Sequence, residues 1–142
     1  MTALPTPPPP WSVGPVTRTD FVRYQGASGD MQPIHHDEEF ARAAGFPTPF
    51  SVGMWQAGLV GTYATAWLGA AAVRRFRVRF QEQAWPGDVL TIACESVAEG
   101  QDGLLDVELS CTRQTGGRAV TAWASFVAGA QVPVPDEETD HG

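Results

Sequence analysis

Asp30 and His35 stand five residues apart in a segment opened by Ser28 and Gly29, and a carboxylate beside an imidazole is well suited to moving protons. Two such groups can share one water: one holds and deprotonates it while the pair exchanges a proton with a substrate carbon. In an extended strand this odd spacing puts them on opposite faces. A turn over Gly29 to Pro33 aims both toward one pocket instead, and Pro33 stiffens the loop between them. Taken without further context, an Asp and a His at this spacing are commonly capping or surface residues. His36 and Asp37 adjoin the pair and raise the question of a metal site. Adjacent side chains at a helix start diverge and no further His lies nearby, so no metal is expected.

Such a loop has to be held by the elements around it. Before it, Thr17 to Tyr24 reads as a short helix with Thr17 or Thr19 as cap and Phe21, Val22 and Tyr24 as apolar positions, stopping at Gly26 to Gly29. After it, Asp37, Glu38 and Glu39 open a second helix, where negative charge complements the dipole, and Gly45 closes it. Val52 to Val73 then runs for 22 positions without a charge. It predicts a helix from about Gly53 to Leu68, buried on all sides, with Ala57, Gly58, Gly61 and Ala64 admitting close neighbours. The run is long enough to cross a bilayer. Its Gly, Ala and Thr content, with Gln56, Thr62 and Thr65, makes its transfer energy weak, and no membrane span is expected.

From Arg74 the period becomes two: Phe76, Val78 and Phe80 face one way, Arg75, Arg77 and Arg79 the other. A turn at Pro86, Gly87 and Asp88 leads to a strand with Leu90, Ile92 and Cys94 on one face. Gly100 to Gly103 turns into another carrying Leu105, Val107, Leu109 and Cys111. Gly116 and Gly117 precede a last strand from Arg118 to Val127. One helix followed by an antiparallel meander predicts an α+β domain with the sheet curled round the helix.

Composition narrows the class. A chain of 142 residues, 43% hydrophobic and 18% charged, is one globular domain. Residues 1–12 read as a proline-rich arm, 13–130 as the domain and 131–142 as an acidic tail. Net charge is −7, but Asp136, Glu137, Glu138 and Asp140 supply four of those charges, so the body is mildly acidic and nucleic acid is not an expected partner. Cys94 and Cys111 sit in apolar runs, the habit of buried thiols in a reducing compartment. The first ten residues have no secretory pattern, so a cytoplasmic location is expected.

The run SGDMQPIHHDEEFA, from Ser28 to Ala41, resembles the signature of the MaoC-like (R)-specific enoyl-thioester hydratases and 3-hydroxyacyl-thioester dehydratases, S-G-D-x-N-P-[IL]-H-x5-A. Gly45 and Phe46, Gly53 and Met54, Val78-Arg79-Phe80 and Pro86-Gly87-Asp88 resemble further elements of that family, G-F, H-G-M, V-R-F and P-G-D. Gly58, Gly61, Tyr63 and Trp67 are similar to residues of actinobacterial dehydratase subunits. Gln32 stands where the pattern has Asn, Val52 where it has His, and Gly61 where some members have Ser. The resemblance implies a hotdog fold, an antiparallel sheet wrapped round a long helix. It implies a catalytic pair Asp30 and His35, with the Gly53 amide as oxyanion donor, a role for which exposed helix N-terminal amides are physically suited.

The expected activity is a hydro-lyase interconverting a trans-2-enoyl thioester and its (R)-3-hydroxyacyl thioester, with no metal or redox cofactor and with coenzyme A or an acyl carrier protein carrying the acyl group. Gln32, Pro33, Met54 and Trp55 are candidate substrate-binding residues. Met54, Trp55, Tyr63 and Trp67 are candidates to line an acyl tunnel, although aromatic residues on a buried helix are more often core. Arg77 and Arg79 are candidates to meet phosphate, against the alternative of a solvated strand face. Two other readings stand beside the enzyme: a hotdog subunit supplying acyl-binding surface in a heteromeric dehydratase, and a hotdog thioesterase. A homodimer or a heterodimer with another hotdog subunit is expected, because a curved sheet leaves an edge to be covered.

Overall fold

Thr17 starts the first helix by exchanging hydrogen bonds with Asp20: its Oγ1 accepts from the Asp20 amide (3.2 Å) and its own amide donates to Asp20 Oδ2 (2.8 Å). The computed structural model describes residues 3–129. Helix α1, Arg18–Ser28, ends at Gly29, whose φ of 77° is open to glycine at little cost and whose N–H donates to the Gln25 carbonyl. A single 3-10 turn, Pro33–His35, follows. Asp37 then caps α2, Glu38–Ala43, by accepting from the Phe40 amide at 2.9 Å. Helix α3 spans Gly53–Leu68.

The sheet has five antiparallel strands: β1 Trp11–Val13, β2 Val73–Phe80, β3 Leu90–Glu99, β4 Leu104–Arg113 and β5 Arg118–Val127, in the order β1-β3-β4-β5-β2. Val60, Tyr63 and Ala64 of α3 join Ile92, Leu109, Cys111, Ala122 and Phe126 from the inner face in one buried cluster. Both cysteines are free, and burial pushes the Cys111 thiol up to about 12, which leaves it a packing group.

Three expectations change. The boundary at residue 13 falls inside β1, since Trp11 and Ser12 already pair with Ile92 and Thr91. Tyr63 Oη donates to the Pro8 carbonyl at 2.7 Å and Trp11 meets the Tyr63 ring edge-on at 5.2 Å. The arm is thus docked on the domain. Second, α3 is not buried all round: Met54, Gly58, Thr62 and Ala66, one face at a spacing of four, are exposed. Third, β2 pairs with β5, not with its sequence neighbour β3. The acidic tail, 131–142, lies outside the described residues. Among those described, no helix is long and apolar enough to cross a membrane.

One buried ion pair fastens the turn before β3. Asp88 is 4% exposed and accepts from Arg113 Nε (2.7 Å), Gln114 Nε2 (2.7 Å) and the Trp85 amide (2.8 Å). Burial alone would raise its pKa; the hydrogen bonds from Arg113, Trp85 and Gln114 outweigh that and hold it below the usual carboxylate range. Its carbonyl accepts from Val16 N–H at 2.9 Å beside Gly14, where a Cβ would lie 2.6 Å from that same oxygen. Because the folded pKa is lowered, the stability this pair contributes is present above the unfolded value, near 3.9, and is lost as pH falls through the folded one. Asp88→Asn is expected to cost about 3 kcal/mol in urea unfolding at neutral pH and to flatten the loss of stability between about pH 4 and the acid limit.

Candidate active site

The loop carrying Asp30 and His35 is gripped from inside by one carboxamide. Gln25, on α1 four residues after Phe21, is fully buried. Its Nε2 donates to the Asp30 carbonyl at 2.9 Å and the Gln32 carbonyl at 3.1 Å, and its Oε1 is 3.0 Å from His36 Nδ1. All of its hydrogen-bonding capacity faces the loop, so the backbone from 30 to 36 is bent round a group the helix has already placed. A second fastening is local. The Gln32 amide donates to Asp30 Oδ1 at 3.3 Å, a weak bond that folds the Asp side chain back over the turn. The other carboxylate oxygen makes no hydrogen bond among the described residues, and Asp30 is exposed.

His35 is 8% exposed and sits edge-on to Phe50 at 5.2 Å. Its Nδ1 is 2.7 Å from the Phe50 carbonyl. A carbonyl only accepts, so Nδ1 carries the proton and, in the neutral ring, Nε2 carries the lone pair. Among the described residues no buried polar side-chain atom lacks a partner and Nε2 has none, so Nε2 is not a buried atom there. This is the arrangement a general base needs: tautomer fixed from behind, basic nitrogen open in front. Asp30 and His35 make no hydrogen bond to each other; they share the loop.

Phe50 leads directly into α3. Val52 caps that helix without a side-chain hydrogen bond. The buried Gln56 amide, turned with its nitrogen toward the chain, donates to Val52 O (2.6 Å), Gly53 O (3.1 Å) and Ser51 Oγ (3.1 Å). The N–H groups of Gly53 and Met54 have no partner among the described residues, so the positive end of the helix is uncovered. A cleft of about 250 Å³ opens here, lined by Phe50, Ser51, Gly53, Gln56 and Phe80. The Phe80 ring crosses Gly53 so closely that a Cβ there would come within 3.1 Å of it.

The other expected residues divide. Gln32 and Met54 are exposed and Pro33 opens the 3-10 turn, all three beside the loop or the helix start. Trp55 packs edge-on to Phe21 at 6.2 Å, toward the core. Tyr63 is taken up by Pro8 and Trp11, and Trp67 lines a separate cavity of about 720 Å³ at the far end of α3, with Leu4, Leu104 and Val127. Met54, Trp55, Tyr63 and Trp67 therefore do not line one channel. Arg77 and Arg79 face away from α3: Arg77 stacks on Trp123 at 4.9 Å and Arg79 pairs across from Thr121 on the outer face. Sequence reading missed Gln25 and Gln56. A polar residue on the apolar side of each helix was the signal for both. The Phe50 carbonyl, being backbone, left no signal.

The model of the MaoC like domain matches residues 7–113. The chain belongs to that family. Its MaoC-like domain is 40% identical over 67 residues to the enoyl-CoA hydratase ChsH3 of Mycobacterium tuberculosis, and 37% identical over 79 residues to 3-hydroxyacyl-thioester dehydratase Y of the same organism. These stretches are 45% and 53% of this chain but 23% and 27% of those relatives, so the chain spans about a quarter of their length. Among solved structures, a chain of the ChsH1-ChsH2 complex from M. tuberculosis superimposes with a TM-score of 0.77 at 26% identity, over 89% of this chain and 98% of that one. The (R)-hydratase from A. caviae shares the fold, with a TM-score of 0.72 at 24% identity over 82% of this chain and 90% of its own. The MaoC-like family carries the hotdog arrangement described above.

Gln25→Leu keeps the size of the side chain and removes every hydrogen bond it makes to the loop. The expected result is a loss of about 1 to 3 kcal/mol in urea unfolding, with faster amide exchange at residues 31–36 and unchanged protection in β4.

Proposed function

We propose that the chain hydrates trans-2-enoyl thioesters to (R)-3-hydroxyacyl thioesters, and catalyses the reverse dehydration. The observation that carries this reading is the His35 imidazole, with Nδ1 held by the Phe50 carbonyl and Nε2 open on the same loop as Asp30. The names of the relatives, an enoyl-CoA hydratase and a hydroxyacyl-thioester dehydratase, support it.

In hydration, a water held between Asp30 and His35 Nε2 loses a proton to one of them as its oxygen bonds to C3. The C2–C3 π pair moves toward the thioester carbonyl, whose oxygen gains charge beside the Gly53 N–H. The pair then returns a proton to C2, so water is added across the double bond and both groups regain their starting states. Gln32 and Pro33, on the loop that carries Asp30 and His35, and Met54, exposed at the start of α3, are assigned to the acyl thioester. The outward direction of Arg77 and Arg79 leaves them out of this account. No step calls for a metal or redox cofactor. The exposed face of α3 and the two-protein complex named for the similar structure favour a second subunit beside this one.

Loss of the conjugated enoyl-thioester absorbance, with chiral analysis of the product, tests the reaction on the chain together with any subunit that co-purifies. Asp30→Asn and His35→Gln should each lower kcat by about 10² to 10⁴ with the fold intact. The double variant should be little worse than either, since the second change removes a group already disabled. Near-normal turnover in either single variant would place the chemistry elsewhere and leave this chain a binding subunit.

A further inference from the structure

The outer face of the sheet, turned away from α3, holds a cleft of about 270 Å³ that the hydratase chemistry does not use. Its floor is Trp123 and Ser125 of β5. One wall is Arg75 and Arg77 of β2, with the Arg77 guanidinium 4.9 Å from the centre of the Trp123 ring. The other wall is Asp106 and Glu108 of β4. The registers set these groups in rows across three strands: Asp106, Ser125 and Arg75 in one, Glu108, Trp123 and Arg77 in the next, Ser110, Thr121 and Arg79 in a third. The first two rows run from a negative end to a positive one.

Within one chain the two walls do not neutralise each other. Strands β4 and β2 flank β5, so their backbones stand about 10 Å apart. Among the described residues no ion pair joins Arg75, Arg77 or Arg79 to a carboxylate. Asp106 accepts from Ser125 Oγ at 2.6 Å, a neutral donor. Two unpaired walls of opposite sign, on either side of an aromatic ring, fit a partner with the same two walls in reverse order. A second copy of this face has them.

Sheets packed face to face lie about 10 Å apart. A two-fold axis parallel to the strands, running above β5, brings β2 of one copy over β4 of the other and keeps each row at its own level. Arg77 then stands over Glu108 of the second copy, Arg75 over Asp106, and Trp123 over Trp123. Arg79 comes over Ser110, whose hydroxyl donates to Glu95, so the third row also offers a carboxylate. This is the aligned kind of sheet packing. With the axis turned across the strands, Arg77 meets Arg77 and Glu108 meets Glu108, and like charges oppose that orientation.

We infer that the outer face of the sheet is an isologous contact, on which a second copy of this chain docks back to back through the arginine wall of one copy and the carboxylate wall of the other. The contact uses neither the exposed face of α3 nor an edge strand, so it is independent of the subunit proposed beside that helix. The candidate site, at the start of α3 on the inner side, stays open. A sheet curled round a helix is convex on its outer side, so the copies touch along a strip, and the association is reversible and oriented by charge.

Sedimentation of the full chain at low ionic strength, with any subunit that co-purifies, reads this as mass. Wild type should reach twice the mass of Arg77→Glu and of Glu108→Arg, each of which should weaken the pair roughly ten-fold or more. Arg75→Glu, which leaves Arg77 on Trp123, should act in the same direction. Mixed, Arg77→Glu and Glu108→Arg should pair with each other, and the double swap Arg77→Glu/Glu108→Arg should pair with itself, because position 77 again faces the opposite sign at 108. Pairing should weaken toward 1 M salt, where the screening length is about 3 Å. Glu108 lies two strands in from the open edge, beyond the reach of an edge contact, so a doubling that survives Glu108→Arg overturns the inference. A wild type that stays at the mass of the single variants also overturns it and leaves the cleft to a ligand bearing both charges. So does a mixture of the two variants, each folded by circular dichroism, that stays unpaired.

Discussion

A buried carboxamide cannot be left idle. Taking an amide from water into a protein interior without partners costs more than a typical hydrogen bond returns, so Gln25 has to find a donor and two acceptors where the helix has put it. The loop from Asp30 to His36 is what meets that need. Cause and effect run from the helix outward: Phe21 and Gln25 lie one turn apart on the side of α1 that enters the domain, the first anchoring the helix and the second anchoring the loop. The position of Asp30 on an otherwise exposed turn follows from this contact, because neither the carboxylate nor Met31 and Gln32 beside it is buried.

The helix start is arranged by the opposite rule. Gln56 directs its donor to carbonyl groups of the residues that enter α3, which fixes the turn and leaves the first N–H groups without a partner among the described residues. An ordinary side-chain cap would have satisfied one of them and dulled the positive end of the helix. Glycine at position 53 keeps that end bare and lets the Phe80 ring lie against the backbone. The His35 to Phe50 bond then joins the two halves, since Phe50 is three residues from Gly53.

Much of this was legible because it is local. Thr17 and Asp37 announced their helices through hydrogen bonds that span three residues, and the alternation of Arg and apolar residues over 75–80 fixed the two faces of β2 before any partner strand was known. The pattern SGDMQPIH located the candidate pair. What stayed hidden depends on distant parts of the chain. Three residues of β1 are too few to show a period, and they form a strand only because β3 is there to receive them. The pairing of β2 with β5 is a matter of topology, which alternation cannot express. The exposed side of α3 was concealed by its own composition: glycine, alanine and threonine look alike whether they admit a neighbour in the core or wait for one at the surface. Asp88 read as a turn residue and proved to be the buried end of an ion pair with Arg113, which lies a strand away.

The two edges of the sheet are chemically unequal. Strand β1 offers three residues, with Pro7 to Pro10 on one side and Gly14 and Pro15 on the other. Proline has no N–H to give, so a strand arriving at that margin would find carbonyl groups on the approach and almost nothing to donate to it. The Pro8 carbonyl is in any case occupied by Tyr63. The arm therefore acts as a selvage, finishing one margin of the sheet so that the fabric cannot be extended there. A molecule with one finished margin and one open one can join a single neighbour through its sheet and then stop, and this is a simple way for a β-protein to form closed assemblies without forming fibres.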